Sequence, residues 1–183
     1  MTKEDAMNAA KNISMLVFDV DGVLTDGSIR VGANGELYKP FNAHDGLGIS
    51  VWHKMGGQTA IITGRESDML TFRAKELHIQ HLYQGVSPKI RVYEEIKTEL
   101  GLKDDEIAYV GDDLIDLAVM KECGLSFAVA DAVPEARDVA DVVCSTCGGR
   151  GAAREAIEFI LKAQGRWEDV LAMFMTGGNK LAQ

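Results

Sequence analysis

The sequence predicts one α/β domain with a Rossmann-like parallel sheet, helices on both faces and a small β-hairpin flap. Short apolar runs alternate with segments of helical periodicity along most of the chain, which is typical of parallel strands joined by crossover helices. The length of 183 residues suffices for one domain core, and no repeat or linker divides the chain. We therefore expect a single domain, 1–183, with a flap at about 25–41 and a C-terminal tail at about 165–183.

The predicted strands are short apolar runs bounded by turn residues. They cover residues 13–20, 58–63, 79–83, 107–110, 125–129 and 141–144. Between 25 and 41 the pattern changes to two short strand-like runs on either side of Asn34-Gly35. This dipeptide is a strong hairpin signal, because its residues tolerate the positive φ angles of a tight two-residue turn. The flap therefore precedes the second strand of the sheet.

The predicted helices are bounded by capping and breaking residues. They cover residues 1–14 weakly, 45–55, 65–77, 88–100, 114–123 and 151–163, with a short helix after Pro134. Helix 45–55 is expected to have its N-cap near Asp45 and to end at Gly56-Gly57. Pro88 is expected at the first position of its helix and Gly101 at the end. The tail shows only weak periodicity.

Composition restricts the class of partner. The chain carries 19 basic and 28 acidic residues, a formal net charge of −9, so nucleic acids and anionic membranes are not expected partners. The polar N-terminus lacks the apolar core of a signal peptide, and the three cysteines show no disulfide framework. We expect a cytoplasmic protein. We interpret Cys144-x-x-Cys147 as incidental, because no matching histidine pair completes a zinc site.

Acidic side chains collect after two of the predicted strands. Asp19 and Asp21 follow the first strand, and Asp112, Asp113 and Asp116 follow a later one. Ligands bind at the carboxyl ends of parallel strands in folds of this kind. Carboxylates held together repel one another unless a cation lies among them, and Mg²⁺ prefers oxygen ligands. The sequence therefore predicts a Mg²⁺ site here, although acids after strands also serve as helix caps.

Four motifs at strand ends carry a family resemblance. They are F-D-V-D-G-V-L-T from Phe18, I-T-G-R ending at Arg65, Lys89, and G-D-D-L-I-D from Gly111. In this order they resemble the motifs of the haloacid dehalogenase superfamily of phosphohydrolases. Over nearly its whole length the chain is similar to the minimally capped branch that hydrolyses 3-deoxy-D-manno-octulosonate (KDO) 8-phosphate. The resemblance implies a phosphoric monoester hydrolase that acts through an aspartyl-phosphate intermediate.

The resemblance also implies roles for the clustered acids. Asp19 would be the nucleophile and a metal ligand, and Asp21 the general acid and base, with its backbone carbonyl on the metal. Asp112 would complete the protein ligands of Mg²⁺. Asp113 and Asp116 would orient water on the metal, although the helix dipole alone explains an acid at position 113 equally well. A carboxylate nucleophile divides a slow hydrolysis into two easier steps.

Two further motifs imply contacts with the phosphate. Thr63 would donate a hydrogen bond to the transferred phosphoryl group, with Gly64 beside it, and Lys89 would neutralise phosphate and carboxylate charge. Taken alone, Thr63 suits an ordinary strand and Lys89 a solvated helix start. A cation is unfavourable at a helix N-terminus, however, which favours a specific role. Arg65 favours the eight-carbon substrate, because a related branch acting on nine-carbon sugar-acid phosphates tends to carry an acidic residue there.

Three basic residues are candidates for binding the carboxylate of a sugar acid. Arg150 and Arg154 lie in a glycine-rich segment that resembles the family's substrate-approaching segment, and guanidinium groups pair well with carboxylates. Either arginine alone could equally be solvated at a helix start. His44 stands where relatives usually carry arginine, and a neutral imidazole attracts a carboxylate less strongly. This departure bears on substrate identity rather than on the phosphatase chemistry.

The resemblance further implies a homotetramer formed through the flap, with each site closed by a neighbouring subunit. A hairpin without such a neighbour would expose Ile29, Val31, Leu37 and Tyr38. The implied reaction releases phosphate from a small sugar-acid phosphate and is a step towards lipopolysaccharide. Two alternatives remain: a phosphatase for a nine-carbon keto-sugar acid 9-phosphate, and a non-catalytic tetramerisation module. The module would be expected to lack one of the motif acids, and all are present.

Overall fold

The computed structural model describes residues 1–33 and 35–176. The strands in these ranges are β1 (Met15–Phe18), β2 (Arg30–Gly32), β3 (Gly35–Tyr38), β4 (Gln58–Ile62), β5 (His81–Tyr83), β6 (Ile107–Gly111), β7 (Leu125–Ala128) and β8 (Val142–Val143). The α-helices are α1 (Lys3–Ala10), α2 (Ala43–Lys54), α3 (Asp68–Glu76), α4 (Lys89–Leu100), α5 (Leu117–Glu122), α6 (Pro134–Val139), α7 (Ala152–Ala163) and α8 (Trp167–Met175).

A parallel sheet with the strand order β5-β4-β1-β6-β7-β8 forms the centre of the molecule, with helices on both faces. The predicted Rossmann-like α/β fold is therefore confirmed. β1 lies between β4 and β6, and Phe18 at its end pairs with Ile61 and Val110. The segments that leave these three strands consequently emerge side by side at one edge of the sheet.

The central strands are apolar because both faces of the sheet are covered. Every residue of β1, β6 and β7 is buried, and β4 is buried after Gln58. Burying one large apolar side chain contributes about 1.5–3 kcal/mol. The loops that follow these strands therefore start from a rigid, closely packed base.

Two predicted helix starts are wrong in detail. α2 is capped by Asn42, whose Oδ1 accepts the N–H of His44 at 2.8 Å. The predicted cap, Asp45, is instead buried in the first turn and accepts N–H groups from another helix. Pro88 is the N-cap of α4 rather than its first residue, so the first helical position belongs to Lys89. Gly101 ends α4 as predicted, and it adopts a left-handed conformation.

Three other helical segments differ from the prediction. α3 begins after an N-cap at Ser67 rather than at Arg65. The helix predicted at 114–123 opens with a 3-10 turn, Leu114–Asp116, before α5 begins. The tail contains the regular helix α8, in which Val170 is the one buried residue, and this explains its weak periodicity. Among the helices described here, none has the length and apolar character that a membrane span requires.

The predicted flap is present as the antiparallel pair β2–β3, separate from the main sheet. Asn34, in its predicted turn, and residues 177–183 of the predicted tail lie outside the described residues. The apolar side chains of the flap are exposed, as expected for a hairpin without a neighbouring subunit. Their exposed fractions are 41% for Ile29, 67% for Val31, 62% for Leu37 and 48% for Tyr38.

Candidate active site

The predicted nucleophile lies at the centre of the sheet edge. Asp19 follows β1 directly and is buried, and its N–H donates to the carbonyl of Val110 at 3.1 Å. This hydrogen bond extends the pairing of β1 with β6 by one residue and fixes the backbone of the acid. Burial raises the pKa of Asp19 to about 6, although the charge of Lys89 opposes the rise. The carboxylate therefore needs a positively charged partner to remain ionised at neutral pH.

Lys89 supplies such a partner from the first turn of α4. Its Nζ lies 2.7 Å from Oδ1 of Asp19 and 2.7 Å from Oδ1 of Asp116, and its side chain is only 2% exposed. Burial alone would lower the pKa of Lys89, but the two carboxylates outweigh burial and raise it. Lys89 therefore stays charged. The alternative interpretation of Lys89 as a solvated residue at a helix start is wrong.

Asp116 is fully buried and is held by four donors. Its Oδ1 accepts from Lys89 and from the hydroxyl of Tyr109, the latter at 2.6 Å. Its Oδ2 accepts the N–H groups of Asp112 at 2.9 Å and Asp113 at 3.2 Å. A carboxylate has about four acceptor positions, so little capacity remains for an ion. This arrangement makes Asp116 the residue that holds Lys89 and the backbone of the acidic loop in place.

Asp112 has a carboxylate oxygen without a partner. Its Oδ1 is buried and makes no hydrogen bond within the part of the chain that the structure describes. Burial, and then the charges of Asp19, Asp116 and Asp113, raise the pKa of Asp112 to about 8. One carboxylate oxygen each of Asp19, Asp112 and Asp116 lie within 4.8 Å of one another. A divalent cation would satisfy the unpaired oxygen and offset the repulsion, so Asp19 and Asp112, with Asp116 close by, fit a Mg²⁺ site.

Gly22 allows the loops after β1 and β6 to meet. Its φ of +100° lies in the region that favours glycine, and a Cβ at this position would be 2.0 Å from Oδ2 of Asp112. Any side chain at position 22 would therefore displace the Asp112 carboxylate. The D-x-D-G motif thus needs its glycine for close packing as well as for the turn.

Asp113 lies at the edge of this cluster. It is exposed, and its Oδ1 accepts the N–H of Leu114 at 2.6 Å, as expected of a cap on the 3-10 turn. Its charge still contributes to the raised pKa of Asp112. The structure therefore gives Asp113 a local capping contact and an electrostatic influence on the site.

Thr63 and Gly64 follow β4 on the other side of Asp19. Thr63 is buried, and its Oγ1 accepts only a long 3.5 Å contact from the N–H of Arg65. Its hydroxyl donates to no acceptor among the described residues, so it is available to a bound phosphoryl group. Gly64 is exposed, and the nearest atom to a Cβ there would be the carbonyl oxygen of Val86 at 3.7 Å.

The carboxylate of Asp21 pairs with residues of the flap and with Arg65. Lys39, which follows β3, forms a short ion pair with its Oδ1, and Nε of Arg65 lies 3.6 Å from its Oδ2. Glu36 of β3 joins this group at 3.3 Å from Nζ of Lys39 and accepts the hydroxyl of Ser67 at 2.5 Å. Burial alone would raise the pKa of Glu36, but Ser67 and Lys39 lower it. A network of charges therefore ties the flap to the active-site loop.

Sequence reasoning missed Lys39, Glu36 and Tyr109 as residues of the site. The side chain of Lys39 is almost fully buried, which is an unusual place for lysine. An acid and a lysine three residues apart on the second strand-like run of the flap were the available signal. Tyr109 looked like an ordinary strand residue, because its hydrogen bond depends on Asp116 in a later turn.

The three basic candidates line a separate pocket of about 560 Å³. Its lining consists of His44, Ser145, Thr146, Arg150, Gly151, Arg154, Glu155 and Glu158. Nε of Arg154 pairs with Glu158 at 2.8 Å, and its guanidinium lies 5.3 Å from the ring centre of Trp167. Arg150 forms no salt bridge with any described residue. The structure thus brings these three residues together, but none of the five clustered acids lines their pocket.

Comparison with known proteins agrees with this geometry. A family model described as haloacid dehalogenase-like hydrolase matches residues 66–155. The chain is also 47% identical over 165 residues to the Escherichia coli (strain B / BL21-DE3) 3-deoxy-D-manno-octulosonate 8-phosphate phosphatase KdsC, covering 90% of this chain and 88% of that protein. The chain belongs to the haloacid dehalogenase-like hydrolases. The matched range 66–155 contains Lys89, Asp112 and Asp116 of the cluster around Asp19.

Two crystal structures extend the comparison. The 3-deoxy-D-manno-octulosonate 8-phosphate phosphatase of Yersinia pestis is 47% identical, with a TM-score of 0.88 and coverage of 90% of this chain and 89% of that chain. The corresponding phosphatase of Moraxella catarrhalis is 39% identical, with a TM-score of 0.92 and coverage of 94% and 99%. The latter was solved in complex with magnesium ion, phosphate ion and KDO.

Proposed function

We propose that this chain hydrolyses KDO 8-phosphate to KDO and inorganic phosphate with Mg²⁺ as cofactor. The proposal is carried by the Lys89–Asp19–Asp116 cluster beside the unpaired oxygen of Asp112, in a chain 47% identical to a phosphatase named for this substrate. The Moraxella catarrhalis relative, which binds magnesium, phosphate and KDO, supports the same ligands here. The enzyme class is phosphoric monoester hydrolase.

In the first step a carboxylate oxygen of Asp19 attacks phosphorus, and the bond between phosphorus and the sugar oxygen breaks. Asp21, protonated in the substrate complex, donates its proton to the departing oxygen, which leaves as the sugar hydroxyl. In the second step Asp21 accepts a proton from water, the water oxygen bonds to phosphorus, and the bond to Asp19 breaks. Inorganic phosphate then leaves, and both aspartates return to their starting states.

The neighbouring residues reduce the repulsion between the Asp19 carboxylate and the phosphate of the substrate, which are both anions. Lys89 offsets the charge of Asp19 before the phosphate arrives, and Asp116 keeps Lys89 in place. The free hydroxyl of Thr63 donates to the phosphoryl oxygens. Bound Mg²⁺, held by Asp19 and Asp112, supplies further stabilisation of the negative charge that develops on the phosphoryl group.

Arg65 supports an eight-carbon substrate over the nine-carbon alternative. Its side chain is half exposed and is anchored by Asp21 and Glu36, so it is positioned beside the general acid. The choice is tested by comparing kcat/KM for purified KDO 8-phosphate and a nine-carbon keto-sugar acid 9-phosphate. A clear preference for the nine-carbon compound would overturn the substrate assignment and leave the phosphatase chemistry intact.

The same assay separates an enzyme from a non-catalytic tetramerisation module. Phosphate release is measured with Mg²⁺ and with EDTA, and we expect turnover only with the metal ion. The module is less well supported, because each of the motif acids and Lys89 has a specific contact in the cluster or the flap network. An absence of phosphate release from every sugar-acid phosphate would favour the module.

The exposed apolar flap supports assembly into a homotetramer. Beside the exposed flap side chains, Tyr38, Phe41, Met69 and Phe72 border a groove of about 820 Å³, and Phe72 is 71% exposed. Contiguous apolar surface of this kind commonly marks an interface between subunits. The cytoplasm remains the predicted location, and lipopolysaccharide synthesis the predicted pathway.

A further inference from the structure

Asp45 is a buried carboxylate whose contacts lie far away in the sequence. It belongs to the first turn of α2, but its Oδ2 accepts the N–H of Gly151 at 3.2 Å and its Oδ1 accepts the N–H of Arg154 at 2.9 Å. It forms no salt bridge with any residue that the structure describes. Burial raises the pKa of Asp45, and these two N–H groups oppose that rise. The N-terminus of α7 therefore provides the main compensation for its charge.

α7 has no capping side chain of its own. Its N-cap residue is Gly151, which has a φ of +112° and carries no acceptor. The first N–H groups of a helix need acceptors, and a side-chain cap typically contributes about 1 kcal/mol. Asp45 supplies this cap from a different helix, so α2 and α7 are joined at their N-terminal ends.

The turn before α7, Gly148–Gly151, is held on both sides and is called the glycine turn below. Nδ2 of Asn42 donates to the carbonyl of Gly149 at 3.1 Å. On the opposite side, the N–H of Gly149 donates to the carbonyl of Val23 at 2.9 Å, in the loop that follows Asp19 and Asp21. The glycine turn thus lies between the start of α2 and the active-site loop and is hydrogen-bonded to both.

We propose that Asp45 is a positioning residue for substrate binding. It holds the glycine turn and the start of α7 in place so that Arg150 and Arg154 contact the carboxylate of the substrate. Arg150 lies within the turn, and the backbone of Arg154 is bonded directly to Asp45. The inference rests on the proposed function, because it assumes a substrate that carries a carboxylate. The acids and Lys89 of the phosphoryl site lie on other elements, so losing the Asp45 cap shifts the arginines without removing that chemistry.

The test is Asp45→Asn, assayed on KDO 8-phosphate and on p-nitrophenyl phosphate, which has no carboxylate. The amide keeps the shape of the side chain but places a donor where the helix requires an acceptor. We expect KM for KDO 8-phosphate to rise about tenfold or more, with kcat and the turnover of p-nitrophenyl phosphate changed less than about threefold. Asp138→Asn, an exposed acid on α6, is the matched control.

A double-mutant cycle tests whether Asp45 acts through the arginines. In an Arg150→Ala/Arg154→Ala background, Asp45→Asn should cause no further rise in KM, because the groups that it positions are gone. Asn42→Ser keeps a cap on α2 but removes the donor to Gly149, and it should raise KM in the same direction. This variant tests the inference even if Asp45→Asn does not fold.

The outcomes separate this inference from the proposed function. If the wild-type enzyme does not hydrolyse KDO 8-phosphate, the proposed function fails. If the wild type does so but KM is unchanged in Asp45→Asn and in Asn42→Ser, the positioning role fails. Equal losses on both substrates, or full additivity in the arginine background, would also overturn it, because they indicate general stabilisation of the fold.

Discussion

Lys89 and Asp19 form a salt bridge of 2.7 Å with their side chains only 2% and 4% exposed. Removing two charges from water is costly, and the attraction between them repays that cost only with further partners. Lys89 faces a second carboxylate, Asp116, at the same distance. One cation thus serves two buried anions, and the cluster remains negative until a further cation arrives.

Asp19→Asn should reduce kcat for KDO 8-phosphate by roughly 10⁴-fold or more while the protein stays folded. The asparagine amide cannot form the acyl phosphate. Its size is close to that of the aspartate it replaces, so the protein should still fold. Phosphate release and a thermal melt measure the two effects. Asp138→Asn should leave both unchanged, and substantial turnover by Asp19→Asn would show that another residue is the nucleophile.

Lys89→Met should lower the free energy of unfolding of the metal-free protein by about 3 kcal/mol, because it leaves Asp19 and Asp116 buried without a cation. Arg91→Met, on the exposed face of the same helix, removes a 3.5 Å contact with Glu95 and should cost less than about 1 kcal/mol. Urea unfolding in EDTA measures both values. Equal losses of unfolding free energy in the two variants would mean that the buried salt bridge stabilises the protein no more than the exposed contact of Arg91.

Tyr109→Phe should reduce kcat several-fold and lower stability by about 1 kcal/mol, the usual cost of one hydrogen bond. The hydroxyl donates to Asp116 at 2.6 Å, and its loss leaves Oδ1 of that residue to Lys89 alone. Steady-state kinetics and urea unfolding provide the readouts. An unchanged kcat would show that Lys89 and the two backbone N–H groups suffice to hold Asp116.

The metal-free protein should become less stable as the pH rises from about 4 to about 8. The pKa of Asp112 rises from an ordinary 3.8 to about 8 and that of Asp19 to about 6, so the folded state holds protons that the unfolded chain releases. Bound Mg²⁺ would offset the repulsion among the ionised carboxylates of Asp19, Asp112 and Asp116. Its stabilising effect should therefore be larger at pH 8 than at pH 5. Thermal melts with Mg²⁺ or EDTA at both pH values measure the difference.

Asp112→Asn is the control for this pH dependence. It removes one of the two raised pKa values and one of the proposed metal ligands, so both the pH slope and the shift caused by Mg²⁺ should shrink. A shift of the same size at both pH values, or one retained in Asp112→Asn, would contradict the assignment of the ion to these acids.

A double variant of the flap, Val31→Asp/Leu37→Asp, should convert the proposed tetramer into smaller species, because both side chains are more than 60% exposed on an isolated hairpin. Light scattering coupled to size-exclusion chromatography measures the mass. Thr98→Asp places one such aspartate on the exposed face of α4 and should leave the mass unchanged. A wild-type monomer would refute the tetramer directly.

The sheet and the acidic cluster could be predicted because local patterns determine them. Alternating apolar runs give the strand positions, and parallel topology alone brings the acids after β1 and β6 to one edge. The start of α2 was less predictable, because Asn42 and Asp45 both suit an N-cap. Asp45 caps α7 instead, and this contact depends on the tertiary arrangement of segments from opposite ends of the chain.

The contacts of the flap were also beyond local reasoning. Lys39 would ordinarily be assigned to solvent, and its ion pair with Asp21, 18 residues earlier in the chain, is not visible in the local sequence. The helix α8 was missed because it covers the domain with a single buried residue, so its periodicity is weak.

The contact between Gly22 and Asp112 has a consequence for the assembly of the protein. The two residues come from opposite halves of the chain, and each belongs to a loop that follows its own strand. A nascent or truncated chain that lacks the second half contains Asp19 but not Asp112, so the two carboxylates that fit the metal ion are not both present. The time course of binding a paramagnetic ion such as Mn²⁺ during refolding would consequently report when the two halves of the chain come together.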